Sequence, residues 1–335
     1  MSTPFSHFFA KINQISPLES NFTEVLEAIA LKPKTLYFRG KMPENVSKTD
    51  SKIPEQTRTC RPRTVAIVGS RHNTKYGEEV TYELAHELGK HGVVVVSGLA
   101  FGIDSIGHRG CLDAGGTTVA VLGTPIDQIY PREHFSLAKD IIDKNGAIIS
   151  EYPPRTATYH DSPLAPGEYI NKNGKRTQNP RSSFLYRNRL ISGLSDIVVV
   201  VEAAEKSGSL NTATHAIEQG KTVFAVPGNI TNPYSQGCNK LIKQGAIPYT
   251  EPDDILRELF PEDYAKKHQR LRQQSLIGDT DAETLILVAL SQGLRDGEQI
   301  MQATHLPPEV FNETITLLEI KSRVRSLGTN HWSLA

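Results

Sequence analysis

The sequence has little of what several protein classes require. Its three cysteines, Cys60, Cys111 and Cys238, are far apart and odd in number, so neither a disulfide framework nor a zinc site is predicted. No stretch approaches the about 18 apolar residues of a membrane-spanning helix. The first residues, MSTPFSHFFAKINQ, lack the basic start and apolar run of a secretion signal. These absences predict a soluble cytoplasmic protein with no membrane partner and no bound metal.

An excess of charge of either sign is also missing. The chain of 335 residues has 37 Lys and Arg against 37 Asp and Glu. Overall charge therefore predicts no polyanionic partner, and any such site has to come from local clustering of basic residues. The length is sufficient for two or three domains with full hydrophobic cores.

Regular apolar runs begin at residue 64 and indicate the main fold. TVAIVG, GVVVVSG, TTVAVLG, AIISEY, DIVVVVEA and TVFAVPG alternate with helical patterns such as YGEEVTYELAHELGKHG. Continuously apolar strands are buried on both faces, as in parallel sheets, and their alternation with helices indicates βαβ units. The sequence therefore predicts an α/β fold with a doubly wound, Rossmann-like parallel sheet over residues 61–260.

Segments of a different character flank this domain. Residues 1–60 predict a small helical segment and a polar linker, with TLYFRG as one short strand. A charged stretch over 261–275 predicts a second linker. Residues 275–335 then show three helical patterns and a hairpin pattern, which together predict a winged helix.

The third of these helical patterns, PPEVFNETITLLEI, contains three glutamates and no Lys or Arg. Acidic side chains repel phosphates, so this helix is not predicted to read a DNA groove. Only Lys321, Arg323 and Arg325, which alternate along the following strand pattern, favour phosphate there.

The turn after the first strand of the main sheet holds Gly69, Ser70 and Arg71. Open α/β sheets bind ligands beyond the carboxyl ends of their strands. Here Gly69 permits close approach to the backbone, while Ser70 and Arg71 offer donors to a phosphate oxygen. A structural, salt-bridged arginine is the alternative. The fingerprint G-x-G-x-x-G is missing, which disfavours NAD.

The turn after the second strand, in SGLAFGIDSIGH, places Phe101 where it either stacks on a base or packs within the fold. Asp104 precedes a helical pattern and is predicted to be its N-cap. His108, one turn later, is predicted to be structural.

A basic triplet, Arg187, Asn188 and Arg189, precedes the strand DIVVVVEA and is predicted to begin a helix. A helix N-terminus favours anions through its free N–H groups and its dipole. Phe184 adds a ring three residues earlier, and aromatic rings beside cations are typical of single-strand binding. A solvated basic helix start is the alternative.

A phosphate-type turn, Ser207, Gly208 and Ser209, follows the same strand and opens the next helix, with Thr212 one turn in. A plain serine N-cap also explains Ser207 or Ser209. Two phosphate-favouring sites on one edge predict a polymer of phosphates rather than a single small cofactor.

Together these motifs resemble the DNA-processing protein A family (DprA, also called Smf). The resemblance covers residues 65–260 nearly end to end. It rests on VAIVGSR at 65–71, VVSGLAFGIDSIGHRGCLDAGGTTVAVLG at 95–123, YP at 130–131, ISEYP at 149–153, RNRLISGLSDIVVVVEA at 187–203, SGSLNTATHAIEQGKTVFAVPG at 207–228 and GCNKLIKQGA at 237–246.

The resemblance implies a non-enzymatic protein that binds single-stranded DNA without a cofactor. It implies that the protein protects incoming DNA during natural transformation and helps to load a RecA-type recombinase, usually as a homodimer. DNA contacts are implied for the Gly69–Ser70–Arg71 turn, and for Arg181 and Phe184 ahead of the triplet.

The sequence departs from the family pattern in three places. Phe101 stands where the family usually has arginine. FLYRNR replaces Phe-Pro-x-Arg-Asn-Arg. The polar segment 155–183 is long, and is predicted to be either a solvated insertion or a mobile basic flap that feeds DNA towards the triplet.

Two other hypotheses use related scaffolds. One is a nucleotide-binding sensor, and the other is a phosphoribohydrolase-like enzyme that needs the glutamate of Pro-Gly-Gly-x-Gly-Thr-x-x-Glu. In this sequence His215 stands three residues after Thr212, so the carboxylate for acid–base chemistry is missing.

Overall fold

A computed structural model describes residues 11–44, 61–154, 168–170, 176–178, 180–262 and 276–334. In 168–170, 176–178 and 180–181 only the backbone is described. The chain divides into two compact units, residues 1–259 and 260–335. Buried apolar clusters lie within each unit, so each has a hydrophobic core of its own.

The first unit is built on a nine-stranded sheet. Its strands are β1 (Asn13–Ile15), β2 (Leu36–Gly40), β3 (Thr64–Val68), β4 (Val94–Ser97), β5 (Thr118–Leu122), β6 (Ala147–Ser150), β9 (Ile197–Val200), β10 (Thr222–Ala225) and β11 (Ile247–Pro248). Their order is β1-β2-β6-β5-β4-β3-β9-β10-β11. All six apolar runs of the main domain form strands of this sheet, as predicted.

Strand direction fixes where a ligand site can lie. From β6 to β11 every neighbouring pair is parallel. Only β1 with β2, and β2 with β6, are antiparallel. The carboxyl ends of the parallel strands therefore share one edge of the sheet, called here the carboxyl edge.

Helices cover both faces of the sheet, which makes it doubly wound. They are α1 (Lys75–Lys90), α2 (Ile103–Asp113), α3 (Phe135–Asp143), α4 (Pro180–Gly193), α5 (Gly208–Glu218), α6 (Gln236–Lys243) and α7 (Pro252–Leu259). Apolar residues of α4, α5 and α6 pack in one buried cluster with alternate strand residues. Residues of α2 and α3 pack in another cluster with the strand residues that point the other way. Burial on both faces explains why the strands are continuously apolar.

Residues 11–44 differ from the predicted small helical segment. They contain β1, β2 and two short 3-10 helices, Pro17–Glu19 and Glu24–Ala28. Both strands belong to the main sheet, and Phe22 and Leu26 are buried in its core. Of the two apolar patterns that predict a helix, the one at Val25, Leu26 and Ile29 is satisfied by the 3-10 helix, and the one that starts at Phe5 lies mostly in residues 1–10, outside the described residues. The predicted strand TLYFRG is present as β2.

The second unit contains three helices and an antiparallel hairpin, as the sequence predicts. These are α8 (Asp281–Ser291), α9 (Gly297–Thr304), α10 (Pro308–Ile320), β12 (Val324–Gly328) and β13 (His331–Leu334). Phe311, Ile315 and Leu318 of α10 are buried against α8 residues such as Ile286 and Leu290. The core therefore takes one face of α10 and leaves its glutamates exposed.

The prediction that Lys321, Arg323 and Arg325 alternate along one strand of the second unit is wrong. Strand β12 begins at Val324, so Lys321 and Arg323 precede it. The Lys321 ammonium lies 2.7 Å from Asp279 Oδ2 and 2.6 Å from Glu283 Oε1, and this hydrogen bonding lowers the pKa of both carboxyls. Arg323 donates to the carbonyl of Ile277 at 3.1 Å. Both side chains therefore hold the fold together.

Several predicted segments lie outside the described residues: most of 155–183, and residues 45–60 and 263–275 of the two linkers. Within 155–183 the structure describes β7 (Glu168–Ile170) and β8 (Arg176–Gln178), which pair antiparallel with each other. Across the described ranges, no helix combines the length and apolar content that crossing a bilayer requires.

Candidate nucleic-acid interface

A small cleft at the carboxyl edge brings together four of the residues predicted to bind DNA. It is lined by Arg71, Gly98, Ala100, Phe101, Tyr130, Pro131, Phe184 and Arg187. These residues come from the loops after β3, β4 and β5 and from α4. Since β3, β4 and β5 are neighbours in the sheet, their loops converge at this point.

The Gly69–Ser70–Arg71 turn projects its arginine outward. The Ser70 hydroxyl accepts a hydrogen bond from the His72 N–H at 3.1 Å and donates to the His72 carbonyl at 3.0 Å. Ser70 is therefore occupied in shaping the turn, whereas Arg71 is exposed. Among the described residues Arg71 forms no ion pair, so its guanidinium is available to a phosphate.

The loop after β4 rests directly on this turn. Gly102 has a φ of +73°, and a Cβ there would lie 2.3 Å from the Ser70 carbonyl oxygen. The Ile103 N–H donates to that same oxygen at 3.1 Å. Only glycine permits this contact, so Gly102 fixes the loop carrying Phe101 against the turn carrying Arg71.

Asp104 does not occupy the predicted N-cap position, which belongs to Gly102. It is the second residue of α2, and its carboxylate reaches back to accept from the N–H groups of Gly98 at 3.1 Å and Ala100 at 3.3 Å. Burial raises the pKa of Asp104, while the Arg187 charge opposes that rise. The carboxylate thus organises the loop after β4 rather than capping the helix.

Three aromatic rings surround the cleft. Phe101 is 44% exposed and lies edge-on to the His134 ring, with centroids 4.8 Å apart. Tyr130 is 48% exposed, and its ring centroid lies 5.2 Å from that of Phe184. Phe184 packs on Gly123 at the end of β5, where a Cβ would lie 2.5 Å from its Cδ1. Each ring is therefore held by a contact and still presents surface.

Two guanidinium groups lie within 6 Å of the Phe184 ring, the range of a cation–π interaction. Arg71 Cζ is 5.7 Å from the ring centroid, and Arg187 Cζ is 5.9 Å away. Arg187 is only 5% exposed and donates to the carbonyls of Gly98, at 2.9 Å, and Val121. It therefore joins the carboxyl ends of β4 and β5. Burial lowers its pKa to about 10, so it remains charged at neutral pH.

Arg189 points away from the cleft into a buried ion pair. It is 2% exposed, and its Nη2 lies 2.8 Å from both carboxylate oxygens of Glu151. Its Cζ stacks 3.9 Å from the Tyr186 ring centroid. Burial raises the pKa of Glu151, and Arg189 opposes that rise. This arginine supports the fold beneath the carboxyl edge.

The predicted helix start at the triplet is wrong, because α4 already begins at Pro180. Proline suits the first turn of a helix, where its missing N–H has no partner. Apart from Leu185, the residues between Pro180 and Leu190 are polar or aromatic, and Arg187, Asn188 and Arg189 are buried through pairing rather than through apolar packing. The apolar periodicity of the sequence therefore indicated only the second half of α4. The triplet lies inside the helix, where no free N–H groups are exposed to an anion.

The Ser207–Gly208–Ser209 turn begins α5, as predicted. Ser207 is the N-cap, and its hydroxyl accepts from the Ser209 N–H at 3.4 Å and lies 2.8 Å from the Ser209 hydroxyl. Thr212 is buried. The Asn188 amide donates to the Gly208 carbonyl at 3.2 Å and to Asn211 Oδ1 at 3.3 Å, which links the triplet to this turn.

His108 has the structural role predicted for it. Its Nδ1 lies 2.7 Å from Thr118 Oγ1, and that hydroxyl donates its proton to the Val95 carbonyl at 2.7 Å. Nδ1 must therefore be the donor, which leaves Nε2 as a buried acceptor without a hydrogen bond. Burial, with the charges of His134 and Arg187, lowers the pKa of His108 to about 3.

One aromatic residue of the cleft was missed as a site residue in the sequence. Tyr130 is part of the YP motif but stands alone between strand patterns, so no periodicity marks it. An aromatic residue in the loop after a buried strand was the available signal. For Arg181, which the sequence predicts as a DNA contact, the side chain lies outside the described residues.

The fold and the cleft define an α/β protein with a large, mainly parallel sheet whose carboxyl edge carries aromatic rings and guanidinium groups. The family model for DNA recombination-mediator protein A matches residues 13–260. The chain belongs to this family, and the resemblance drawn from the sequence motifs is confirmed.

Curated relatives support the assignment. The chain is 45% identical over 195 residues to Protein Smf of Escherichia coli, a match that covers 58% of this chain and 46% of that protein. It is 38% identical over 248 residues to DNA processing protein DprA of Bacillus subtilis, covering 74% of this chain and 71% of that protein. The match thus spans less than half of the E. coli relative.

Two solved structures have the same fold. DprA of Streptococcus pneumoniae gives a TM-score of 0.58 at 32% identity, over 76% of each chain. DprA of Helicobacter pylori gives 0.55 at 30% identity, over 77% of this chain and 98% of that one. The H. pylori protein has a single-stranded DNA binding mode.

Proposed function

We propose that this protein binds single-stranded DNA at the carboxyl edge, protects it, and helps to load a RecA-type recombinase during natural transformation. The observation that carries the proposal is the cleft itself. It combines three partly exposed rings with two guanidinium groups within 6 Å of one of them. Rings that accept any base, beside cations that track a backbone, suit single strands of any sequence.

The predicted site residues divide into two groups under this proposal. Arg71, Phe101 and Phe184 contact the strand, with Arg181 ahead of them on α4. The Gly69–Ser70 turn and Arg187 form the floor, while Asn188 and Arg189 keep α4 in place. The Ser207–Ser209 turn offers the next phosphate position along the same edge, beyond β9, and the buried Thr212 supports that turn from within α5.

The activity requires neither catalysis nor a cofactor. A hydrolase of related fold needs a glutamate at the position of His215. The Nδ1 of His215 lies 3.3 Å from Glu218 Oε2. The carboxylate next to the cleft, Asp104, is occupied by two backbone N–H groups. Binding, rather than general acid–base chemistry, is the function that these groups support.

The family relationship extends the proposal to partners and setting. A homodimer, a RecA-type recombinase as partner, a cytoplasmic location and a winged-helix role for the second unit are parts of the proposal. DprA of H. pylori, at 30% identity, supports single-stranded DNA as the ligand.

An electrophoretic mobility shift assay tests this function. The full chain is expected to shift a labelled single-stranded oligonucleotide, to bind the duplex of the same sequence much more weakly, and to ignore competing AMP. Faster assembly of a RecA-type recombinase on that strand is expected in its presence. Binding of AMP in preference to the oligonucleotide would instead support a nucleotide sensor. Release of a free base from AMP would indicate a hydrolase.

A further inference from the structure

Helix α10 of the second unit carries large apolar residues on two different faces. One face packs in the core of the unit. On the other, Val310, Leu317 and Ile320 are 37%, 43% and 74% exposed. Since an α-helix turns by about 100° per residue, these three residues lie within a sector of about 80°. They form a continuous apolar strip along the helix, called here the outer stripe, and a contiguous exposed apolar surface is typical of an interaction site.

The outer stripe is bordered by negative charge. Glu309, Glu313 and Glu319 are all exposed, and the same helical angles place Glu313 within the stripe and Glu309 at its margin. Among the described residues none of these three glutamates forms an ion pair. The cation next to the helix end, Lys321, already holds two carboxylates. The outer stripe therefore has an acidic border whose charge the protein itself leaves unpaired.

This border decides among the surfaces that could cover the outer stripe. Carboxylates repel the phosphates of nucleic acids and of anionic lipids. A second copy of α10 would place glutamates beside glutamates, and the juxtaposition of like charges disfavours that contact. A helix with an apolar face bordered by Lys or Arg satisfies both the stripe and its glutamates, as charged positions beside an apolar seam do in paired helices.

We propose that the outer stripe of α10 docks a basic amphipathic helix of a partner protein. Apolar residues of the partner, spaced i, i+3, i+4 and i+7, pack on Val310, Leu317 and Ile320, and its Lys or Arg side chains pair with Glu309 and Glu313. The surface belongs to the second unit, so the proposal does not depend on single-stranded DNA binding by the first.

A display library of short helical peptides tests the proposal. Peptides that bind the double variant Leu317→Ser/Ile320→Ser are removed first, and the remainder are selected on the immobilised wild-type full chain. The selection is expected to enrich peptides with apolar residues at helical spacing and an excess of Lys and Arg beside them. Fluorescence anisotropy of one labelled, enriched peptide should give a Kd about tenfold or more higher for the double variant, because two apolar contacts are lost without any added charge.

Two further variants separate the apolar part of the surface from its charge. Leu285→Ser removes a leucine of the same exposure as Leu317, 43%, from α8, and should leave the Kd of the peptide unchanged. Glu309→Gln/Glu313→Gln keeps the outer stripe and removes charge from its border. Its Kd should be about 2- to 5-fold higher per glutamate at low salt and should approach the wild-type value at high salt. Thermal unfolding of each variant checks that the fold is intact.

Three results would overturn the proposal. The first is a selection that yields no peptide with a preference for wild type over the double variant. The second is a set of enriched peptides without an excess of Lys and Arg, or an unchanged Kd of Glu309→Gln/Glu313→Gln at low salt, since the partner would then not be recognised by its positive charge. The third is an equal loss of affinity in Leu285→Ser and in the double variant, which would place the binding surface elsewhere on the unit.

Discussion

Two sets of arginines lie near the carboxyl edge, and they differ in almost every physical respect. Arg71 is exposed, carries no ion pair within the described structure, and stands at the end of a short turn. Arg187 and Arg189 are buried inside α4, where strand carbonyls and the Glu151 carboxylate accept their hydrogen bonds. The same side chain thus presents a free charge at the surface in one place and is a structural support in the other.

The difference shows what a dense basic motif can mean. The Arg-Asn-Arg triplet is the most conspicuous basic feature of the sequence, yet each of its three side chains is hydrogen-bonded within the protein itself. A buried guanidinium must be paired, because an unpaired charge in the interior is strongly unfavourable. The less conspicuous turn, with one arginine, presents the free charge. Breaking each set separately distinguishes support from contact.

The largest expected effect is on stability, from Arg189→Ala. This change leaves the Glu151 carboxylate buried without its partner, and removing one member of a buried ion pair costs about 3–5 kcal/mol. Denaturant unfolding should therefore show a free energy of unfolding lower by that amount. Arg71→Ala is the matched control and should stay within about 0.5 kcal/mol of wild type, since its side chain is exposed. Equal stability of the two variants would mean that Arg189 supports the fold no more than the exposed Arg71 does.

The next largest expected effect is the dependence of stability on pH, which comes from the buried His108. Its pKa is about 3 in the fold and ordinarily 6.5, so below 6.5 the unfolded chain binds a proton that the folded chain does not. Stability is complete above pH 6.5 and falls as pH drops towards 3, by up to about 1.4 kcal/mol per pH unit. Unfolding of wild type and of His108→Gln, measured between pH 7 and 4.5, should show the smaller pH dependence in the variant. Identical pH profiles would mean that His108 does not titrate in this way.

The smallest expected effect concerns the second unit. Residues 276–334 carry eight Asp and Glu against four Lys and Arg, and three of those basic residues, Arg295, Lys321 and Arg323, donate hydrogen bonds within the fold. An isolated 275–335 fragment is therefore expected to bind duplex DNA no better than a neutral protein does at the same salt. Tight binding in a mobility shift assay would show that this unit reads DNA despite its acidic α10.

Much of the fold could be predicted from the sequence because it depends on patterns of burial. Strands buried on both faces are continuously apolar, so β3, β4, β5, β6, β9 and β10 were all predictable. Strand β1 was not, since it has three residues and two of them are exposed and polar. The start of α4 was missed for a related reason, because polar and aromatic residues predominate before Leu190 and leave no apolar period.

The site was predictable in composition but not in arrangement. Strand order brings the loops after β3, β4 and β5 together, and residue type marked Arg71, Phe101 and Phe184. Whether a given arginine faces solvent depends on acceptors distant in sequence, such as Glu151 for Arg189, and on which way each side chain points. Tyr130 becomes visible only once its ring lies against Phe184.

The most direct measurement is the salt dependence of single-stranded DNA affinity for wild type, Arg71→Ala and Lys90→Ala. Lys90 ends α1 at the opposite edge of the sheet, so its replacement removes one charge away from the cleft. If Arg71 neutralises a phosphate, the slope of log affinity against log salt should become shallower by about 0.7 in Arg71→Ala, and the affinity at low salt should fall. Lys90→Ala should match wild type. If Arg71→Ala binds single-stranded DNA as wild type does at every salt concentration, the exposed arginine of the carboxyl edge is not the contact.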